Sequence, residues 1–154
     1  MIPEEIREYA QWIVWKYMPN EKGKLTKVPF SPHTGEMASV QRPLTWGTYE
    51  EACRVAYRYD GLGFMFTAQD PFIGIDIDHC IHDTVMTVEA KRMMKQIGSY
   101  TETSPSGNGI HIIGKGKLHR GHRGFRRGNI ELYADARFFT VTGAMLLDVP
   151  IADI

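Results

Sequence analysis

Residues 72–78 read FIGIDID, an apolar and strand-like segment that carries two carboxylates, Asp76 and Asp78. Side chains alternate between the two faces of a strand, so both acids share one face and lie about 6.5–7 Å apart along the backbone. The isoleucines on the opposite face are expected to point into the core. Two like charges held side by side are unfavourable unless a cation neutralises them. The stretch therefore predicts a metal site, with Gly74 leaving room on the acid side.

Two further reactive side chains interrupt apolar strands later in the chain. His111 lies between isoleucines, and Glu131 lies between Ile130 and Leu132. If both strands neighbour the segment 72–78 in one sheet, these two side chains converge with Asp76 and Asp78 on a single concave face. Three carboxylates suit two hard divalent cations that the acids bridge, and we expect magnesium or manganese.

Phosphate binding is predicted by the segments on either side of His111. Residues 103–109, TSPSGNG, supply hydroxyls and flexible backbone that can cradle phosphate oxygens, although a plain connecting turn is an equal alternative. The expected phosphate-binding residues are Ser104, Ser106, Asn108, His111, Lys115 and Arg137. For Arg137, a structural ion pair with Asp135 is the competing interpretation, and for His111 it is a purely structural role.

A local positive charge predicts contact with nucleic acid. The whole chain gives no such argument, because its 18 basic and 18 acidic residues cancel. The segment 103–130, however, has no acidic residue. The expected contacts to a single-stranded backbone are Lys117, Arg120, Arg123, Arg126 and Arg127, and Phe125 could stack on a base. A solvated run of charge is the alternative.

Composition bounds the class of protein. A chain of 154 residues with 43% hydrophobic content can bury one substantial core, so we expect one compact domain. Two cysteines are too few for a disulfide framework, and no apolar run approaches the roughly 20 residues that span a bilayer. The N-terminus is acidic where a signal peptide would be basic. We expect a soluble cytoplasmic protein with no membrane partner.

A zinc site is a weaker alternative to the carboxylate site. Its candidate ligands are His79, Cys80, His82, His119 and His122. The chain has no Cys-x-x-Cys pair, and these residues lack the spacing of structural zinc sites.

The predicted elements indicate an α+β fold. Helices are expected from Pro3 onward and over 48–59 and 84–97, and strands over 11–17, 61–67, 72–78, 110–113, 130–133 and 138–141. Thr48 and Glu51 form a capping box at the start of the second helix. Strands 61–67 and 72–78 are expected to be adjacent around a turn, and strands 110–113 and 130–133 to form a hairpin. Because the elements interleave without a regular βαβ repeat, we expect a mixed or antiparallel sheet with helices on one face.

Three segments together resemble the ordered motifs of a known catalytic domain. They are 74–79 (GIDIDH), 101–111 (TETSPSGNGIH), and 130–143, which begins IELY and ends RFFTVTG. Their order and spacing are similar to those of the primase-polymerase domain, a member of the archaeo-eukaryotic primase superfamily found in phage and plasmid replication proteins. The similarity covers the chain from about Trp12 to Gly143.

The resemblance implies a fold and a set of residue roles. It implies an RRM-like catalytic sheet over 61–150, a small N-terminal α/β lobe over 1–60, and an active site in the cleft between them, with 1–154 forming one catalytic domain. Asp76 and Asp78 would bind the two metal ions, Glu131 would be the third acid, and His111 would contact the triphosphate of an incoming nucleotide.

The chain departs from the pattern of this family at one position, and the family suggests a larger protein. The second motif of the family places serine two residues before histidine, where this chain has Gly109, so Ser104 and Ser106 remain alternatives for that role. Family members often continue into a helicase region. The chain is therefore expected to be a fragment or a stand-alone domain, with a helicase in the same chain or a partner.

The function expected from these features is a metal-dependent nucleotidyltransferase, a DNA primase-polymerase. It would add NTP or dNTP to a 3′-hydroxyl on a single-stranded DNA template by a two-metal mechanism. A nuclease or phosphoesterase that uses the same carboxylates is the nearest enzymatic alternative. A non-catalytic single-strand binder is a third, but it predicts aromatic residues on the exposed strand face, where this sequence has acids.

Overall fold

The protein is described by a computed structural model that covers residues 1–119 and 122–154. The chain forms two compact units. The larger unit comprises Met1–Pro3, Phe66–Arg137 and Val141–Ile154, and the smaller unit comprises Glu4–Met65 and Phe138–Thr140. Short helices accompany mostly antiparallel sheets, which confirms the predicted α+β class.

Aromatic and β-branched residues build the smaller unit. Its elements are α1 (Glu4–Arg7), β1 (Trp12–Pro19), β2 (Leu25–Phe30), a 3-10 helix (Pro43–Thr45), α2 (Tyr49–Val55), a second 3-10 helix (Ala56–Arg58) and β3 (Gly61–Phe66), whose last residue belongs to the larger unit. Strand β1 buries its first four side chains. Helix α2 begins at the predicted capping box, because Thr48 Oγ1 accepts from the Glu51 N–H while the Glu51 carboxylate accepts from the Thr48 N–H.

The larger unit contains a six-stranded sheet and one longer helix. Its elements are β4 (Phe72–Ile77), β5 (Ile81–His82), β6 (Val85–Met86), α3 (Val88–Ile97), β7 (Thr101–Thr103), β8 (Ile110–Lys115), β9 (Gly124–Arg127), β10 (Ile130–Tyr133), the two end residues of β11 (Arg137–Val141) and β12 (Met145–Leu147). The strand order of the sheet is β12-β7-β8-β4-β10-β9, and its pairs are antiparallel. Strand β11 instead joins the sheet of the smaller unit, in the order β11-β3-β1-β2.

Helix α3 covers one face of the six-stranded sheet. Thr87 caps its N-terminus by accepting from the Ala90 N–H, and Gly98 ends it in the left-handed conformation that favours glycine. Its side chains Ala90 and Met94 pack against isoleucines of β4 and β8, which include Ile75 and Ile112. Because this face is the core, the polar side chains of β4 and β8 are left on the other face.

Two predicted strand pairings are wrong. Strands β3 and β4 were expected to be adjacent, but they lie in different sheets. The turn that precedes β4 contains buried Asp70, whose carboxylate accepts from the backbone N–H groups of Thr67 and Phe72. Strands β8 and β10 were expected to form a hairpin, but β4 lies between them and pairs with both. Pairing with β4 places the apolar side chains of all three strands on one covered face.

Two predicted element boundaries also differ from the structure. The helix expected over 84–97 starts only at Val88, because residues Ile81–Met86 form the small β5-β6 hairpin. Between residues 113 and 130, where no strand was predicted, the structure has strand β9, which pairs with β10 at the edge of the sheet. None of the helices in the described ranges is long and apolar enough to cross a bilayer.

Candidate active site

One row of polar side chains crosses the six-stranded sheet, on the face opposite helix α3. We call it the polar row; in strand order it consists of Glu102, His111, Asp76, Glu131 and Arg126. Each residue is the direct cross-strand partner of the next, and such partners in antiparallel sheets have Cβ atoms about 4.5–5.5 Å apart. Strands β8 and β10 therefore both neighbour β4, which is the arrangement that we required for these side chains to converge. Asp76 lies between His111 and Glu131.

Asp78 follows Ile77, the last residue of β4, two residues beyond Asp76 along the chain. Its backbone N–H donates to the Asn129 carbonyl at 2.9 Å, and the Asn129 side-chain amide donates to the Asp78 carbonyl at 2.7 Å. That its side chain shares the face of Asp76 stays a prediction from strand alternation. Both aspartates are half-buried, and Asp76 Oδ1 is shielded from solvent.

At the exposed end of the polar row, both oxygens of Glu131 have partners. Glu131 Oε1 lies 3.0 Å from Arg126 Nη1, and Oε2 accepts a hydrogen bond from the Tyr133 hydroxyl. Burial raises the pKa of the Tyr133 phenol above its ordinary value, and the bond to Glu131 raises it further. The Arg137 guanidinium lies 5.4 Å from the centre of the Tyr133 ring. Glu131, Tyr133 and Arg137 share the lining of a cavity of about 180 Å³.

The opposite end of the polar row is buried. His111 is only 3% exposed; its Nε2 lies 3.7 Å from Asp76 Oδ1 and its Nδ1 lies 3.5 Å from Glu102 Oε1. Glu102 is fully buried and was not among the predicted site residues. The sequence shows an acid in the three-residue strand β7, but only the register between β7 and β8 connects it to His111.

The loop that precedes His111 places its two serines differently. Ser104 is buried, and its Oγ accepts from the Gly109 N–H at 3.1 Å and lies 3.1 Å from Ser106 Oγ. Ser106 and Asn108 are exposed. A Cβ added at Gly109 would lie 2.6 Å from the Ile77 carbonyl oxygen and 3.2 Å from Ser104 Oγ. The hydroxyl of Ser104 thus lies beside the position where the family pattern has serine.

Within the part of the chain that the structure describes, the predicted cationic residues do not form one cluster. Lys115 ends β8 on the face of His111, four residues further along the strand. Lys117 and Arg123 line a second cavity, of about 380 Å³, together with Asp70 and Asp135. Arg127 pairs with Ile130, on the other face from Arg126. Arg120 lies outside the described residues.

The acids are not preassembled as a metal site. In the ranges 1–119 and 122–154, no group of three or more His, Cys, Asp or Glu side chains is arranged to hold an ion. The contacts of Glu131 with Arg126 and Tyr133 are consistent with this.

The structure adds an argument against a zinc site. The Cys80 thiol is buried and donates to the Ile77 carbonyl. Burial raises the pKa of this thiol, which disfavours the thiolate that zinc binds.

The amino-acid sequence matches no model of a known protein family. It is 41% identical over 146 residues to a DNA primase-polymerase of Nitratiruptor phage NrS-1. The chain is a relative of this DNA primase-polymerase. This result confirms the resemblance predicted from the three motifs. The match covers 90% of the chain, and the chain spans about a fifth of the length of the phage primase-polymerase.

Proposed function

We propose that this chain is the catalytic domain of a DNA primase-polymerase, which adds NTP or dNTP to a 3′-hydroxyl on a single-stranded DNA template. The observation that carries the proposal is the cross-strand register Glu131-Asp76-His111 in a chain related to a phage primase-polymerase. Three residues drawn from separate motifs meet on adjacent strands, as a common site requires.

Asp76, Asp78 and Glu131 would hold Mg²⁺ or Mn²⁺, because carboxylate oxygens are the ligands that these hard ions prefer. Two such ions, when bound, lower the pKa of the attacking hydroxyl and neutralise charge on the triphosphate and the leaving pyrophosphate. The half-buried aspartates offer oxygens on one face of the sheet. Glu131, which now contacts Arg126, would join them by exchanging that contact for one with an ion.

The nucleotide would be held by the polar row and the loop beside it. His111 would donate from Nε2 to a triphosphate oxygen, because Nε2 is the ring nitrogen that faces Asp76. Ser104, Ser106 and Asn108 supply hydroxyl and amide donors from the loop before β8. Lys115 and Arg137 add positive charge from the end of β8 and from the cavity beside Tyr133.

The template would follow the basic segment. Arg126 and Arg127 project from the two faces of the edge strand β9, and Arg123 precedes it. Phe125 is 54% exposed on the same strand, which suits stacking on an unpaired base. Lys117 and Arg120 would extend the contact to the phosphate backbone.

The domain assignment belongs to the same proposal. The six-stranded sheet with helix α3 on one face would be the RRM-like catalytic sheet, and the whole chain one catalytic domain of the archaeo-eukaryotic primase type. Because the phage relative is about five times as long as the chain, a helicase region would lie elsewhere in a longer protein or in a partner.

A primer-extension experiment tests the proposal. The chain is incubated with end-labelled primer annealed to a longer template, with Mn²⁺ and with or without dNTP or NTP. A polymerase lengthens the primer only when nucleotide is present, and Asp76→Asn abolishes the extension. Shortened products without nucleotide would show a nuclease, and binding without any product would show a single-strand binder; either result rejects the proposal.

A further inference from the structure

We propose that Glu102 is a positioning residue for His111: its buried carboxylate fixes the imidazole ring so that Nε2 faces Asp76. The catalytic consequence rests on the proposed function, whereas the structural contact does not. The juxtaposition is given by the register, in which Glu102, His111 and Asp76 are successive cross-strand partners on three neighbouring strands.

The carboxylate of Glu102 occupies a built site. Burial of a carboxylate is unfavourable unless hydrogen bonds replace its lost hydration. Glu102 is 0% exposed and receives three donors at 2.8 Å, from the Tyr100 hydroxyl and from the backbone N–H groups of Thr142 and Gly143. Two of these donors are backbone groups about 40 residues away in the chain. The carboxylate is therefore held in one orientation by rigid partners.

This fixed carboxylate faces one nitrogen of a buried ring. Oε1, which accepts from Thr142, lies 3.5 Å from His111 Nδ1, while the other ring nitrogen lies 3.7 Å from Asp76 Oδ1. A carboxylate on one nitrogen of a histidine sets the ring orientation and thereby aims the second nitrogen. In this chain the second nitrogen faces the acids that would hold the metal ions, where a triphosphate would bind.

A purely structural role for Glu102 makes a different prediction. If it served only to tie strand β7 to the turn at Thr142 and Gly143, its replacement would lower stability but would leave the His111 ring in place. Tyr100→Phe is the matched control, because it removes one hydrogen bond to Oε2 and leaves the charge and Oε1 beside His111.

The first experiment observes the His111 ring signals directly and does not depend on catalysis. In ¹³C-labelled protein, we expect Glu102→Gln to shift the His111 ring signals well beyond the shift caused by Tyr100→Phe. If Glu102→Gln does not fold, the wild-type protein is measured instead. The His111 ring and the Thr142 amide both lie beside Glu102 Oε1, so we expect nuclear Overhauser contacts between them. Unmoved ring signals in Glu102→Gln, or missing contacts in the wild type, overturn the proposal even if the chain proves not to be a polymerase.

The second experiment measures coupling in catalysis. We expect Glu102→Gln to lower kcat for nucleotide incorporation at least tenfold, and Tyr100→Phe to stay within about threefold of wild type. In a His111→Ala background, Glu102→Gln should change kcat less than twofold, because the residue through which it acts is gone. An equal loss in both backgrounds would show that Glu102 acts independently of His111 and would overturn its role in positioning.

Discussion

The two ends of the polar row differ in how their charges are held. At one end, Glu102 is 0% and His111 3% exposed, and backbone amides fix the carboxylate. At the other end, the side chains of Glu131 and Arg126 are 23% and 67% exposed and face each other as an ion pair. Buried charges are costly to unpair, whereas an exposed ion pair contributes only about 0–1 kcal/mol.

From this difference we expect one half of the proposed site to be fixed before substrate binds. The buried end keeps its geometry, since any movement would leave a carboxylate without its donors. An exposed ion pair can exchange partners at little cost, so in the proposed function Glu131 would leave Arg126 for a metal ion while Arg126 would turn to a phosphate. Asp76 lies between the two halves and belongs to both.

The largest effect is expected at this shared residue. Asp76→Asn keeps the size of the side chain but removes its charge, so nucleotide incorporation should fall about a thousandfold while the fold is retained. Primer extension and a thermal melt measure the two quantities. Asp148→Asn, an exposed acid of the same unit, is the control and should retain activity. Substantial incorporation by Asp76→Asn would remove the centre of the proposed site.

The rigidity of the buried half can be tested at Gly109. A methyl group there would lie 2.6 Å from the Ile77 carbonyl oxygen, so Gly109→Ala should destabilise the protein by about 1–3 kcal/mol. Asn108→Ala, one residue earlier and exposed, should change the stability far less. Urea denaturation compares the two variants. Equal stabilities of the two variants would show that the loop beside His111 adjusts freely. That result would contradict the rigidity of the buried end of the polar row.

Exchange at the exposed half is tested with two neighbouring arginines. Arg126→Gln releases Glu131, so the Mn²⁺ concentration for half-maximal incorporation should fall by up to about fivefold, the equivalent of a surface ion pair. Arg127→Gln removes the same charge from the other face of β9 and should leave this concentration unchanged. Each variant should lose about one phosphate contact, so the slope of log DNA affinity against log salt concentration should become shallower by about one. Identical Mn²⁺ dependence in the two variants would contradict the exchange.

The smallest effect concerns pH. Burial and the bond to Glu131 raise the pKa of Tyr133, so above about pH 10 the unfolded state loses this proton before the folded state does. Stability should therefore fall as the pH rises above 10 toward the raised pKa of the folded protein. Tyr133→Phe lacks this proton and should show a shallower fall. Urea midpoints measured from pH 9 to 11 make the comparison, and parallel curves would exclude Tyr133 as the source.

Local features of the molecule could be predicted from the sequence, and non-local pairings could not. The capping box at Thr48 and the position of Asp76 on the face of β4 opposite its isoleucines depend on spacings of one to three residues, which sequence periodicity reveals. The insertion of β4 between β8 and β10 depends on which apolar faces pack together. The environment of Glu102 likewise depends on donors about 40 residues away, and no periodicity of the sequence carries that information.

The most direct test of the proposed metal site is a measurement of Mn²⁺ binding in the presence of a non-hydrolysable dNTP analogue. Electron paramagnetic resonance counts the bound ions in the wild-type chain and in the Asp76→Asn and Asp148→Asn variants. We expect two ions per wild-type chain, the same number in Asp148→Asn, and an affinity at least tenfold weaker in Asp76→Asn. Equal number and affinity of bound ions in all three proteins would contradict the assignment of Asp76, Asp78 and Glu131 as the metal ligands.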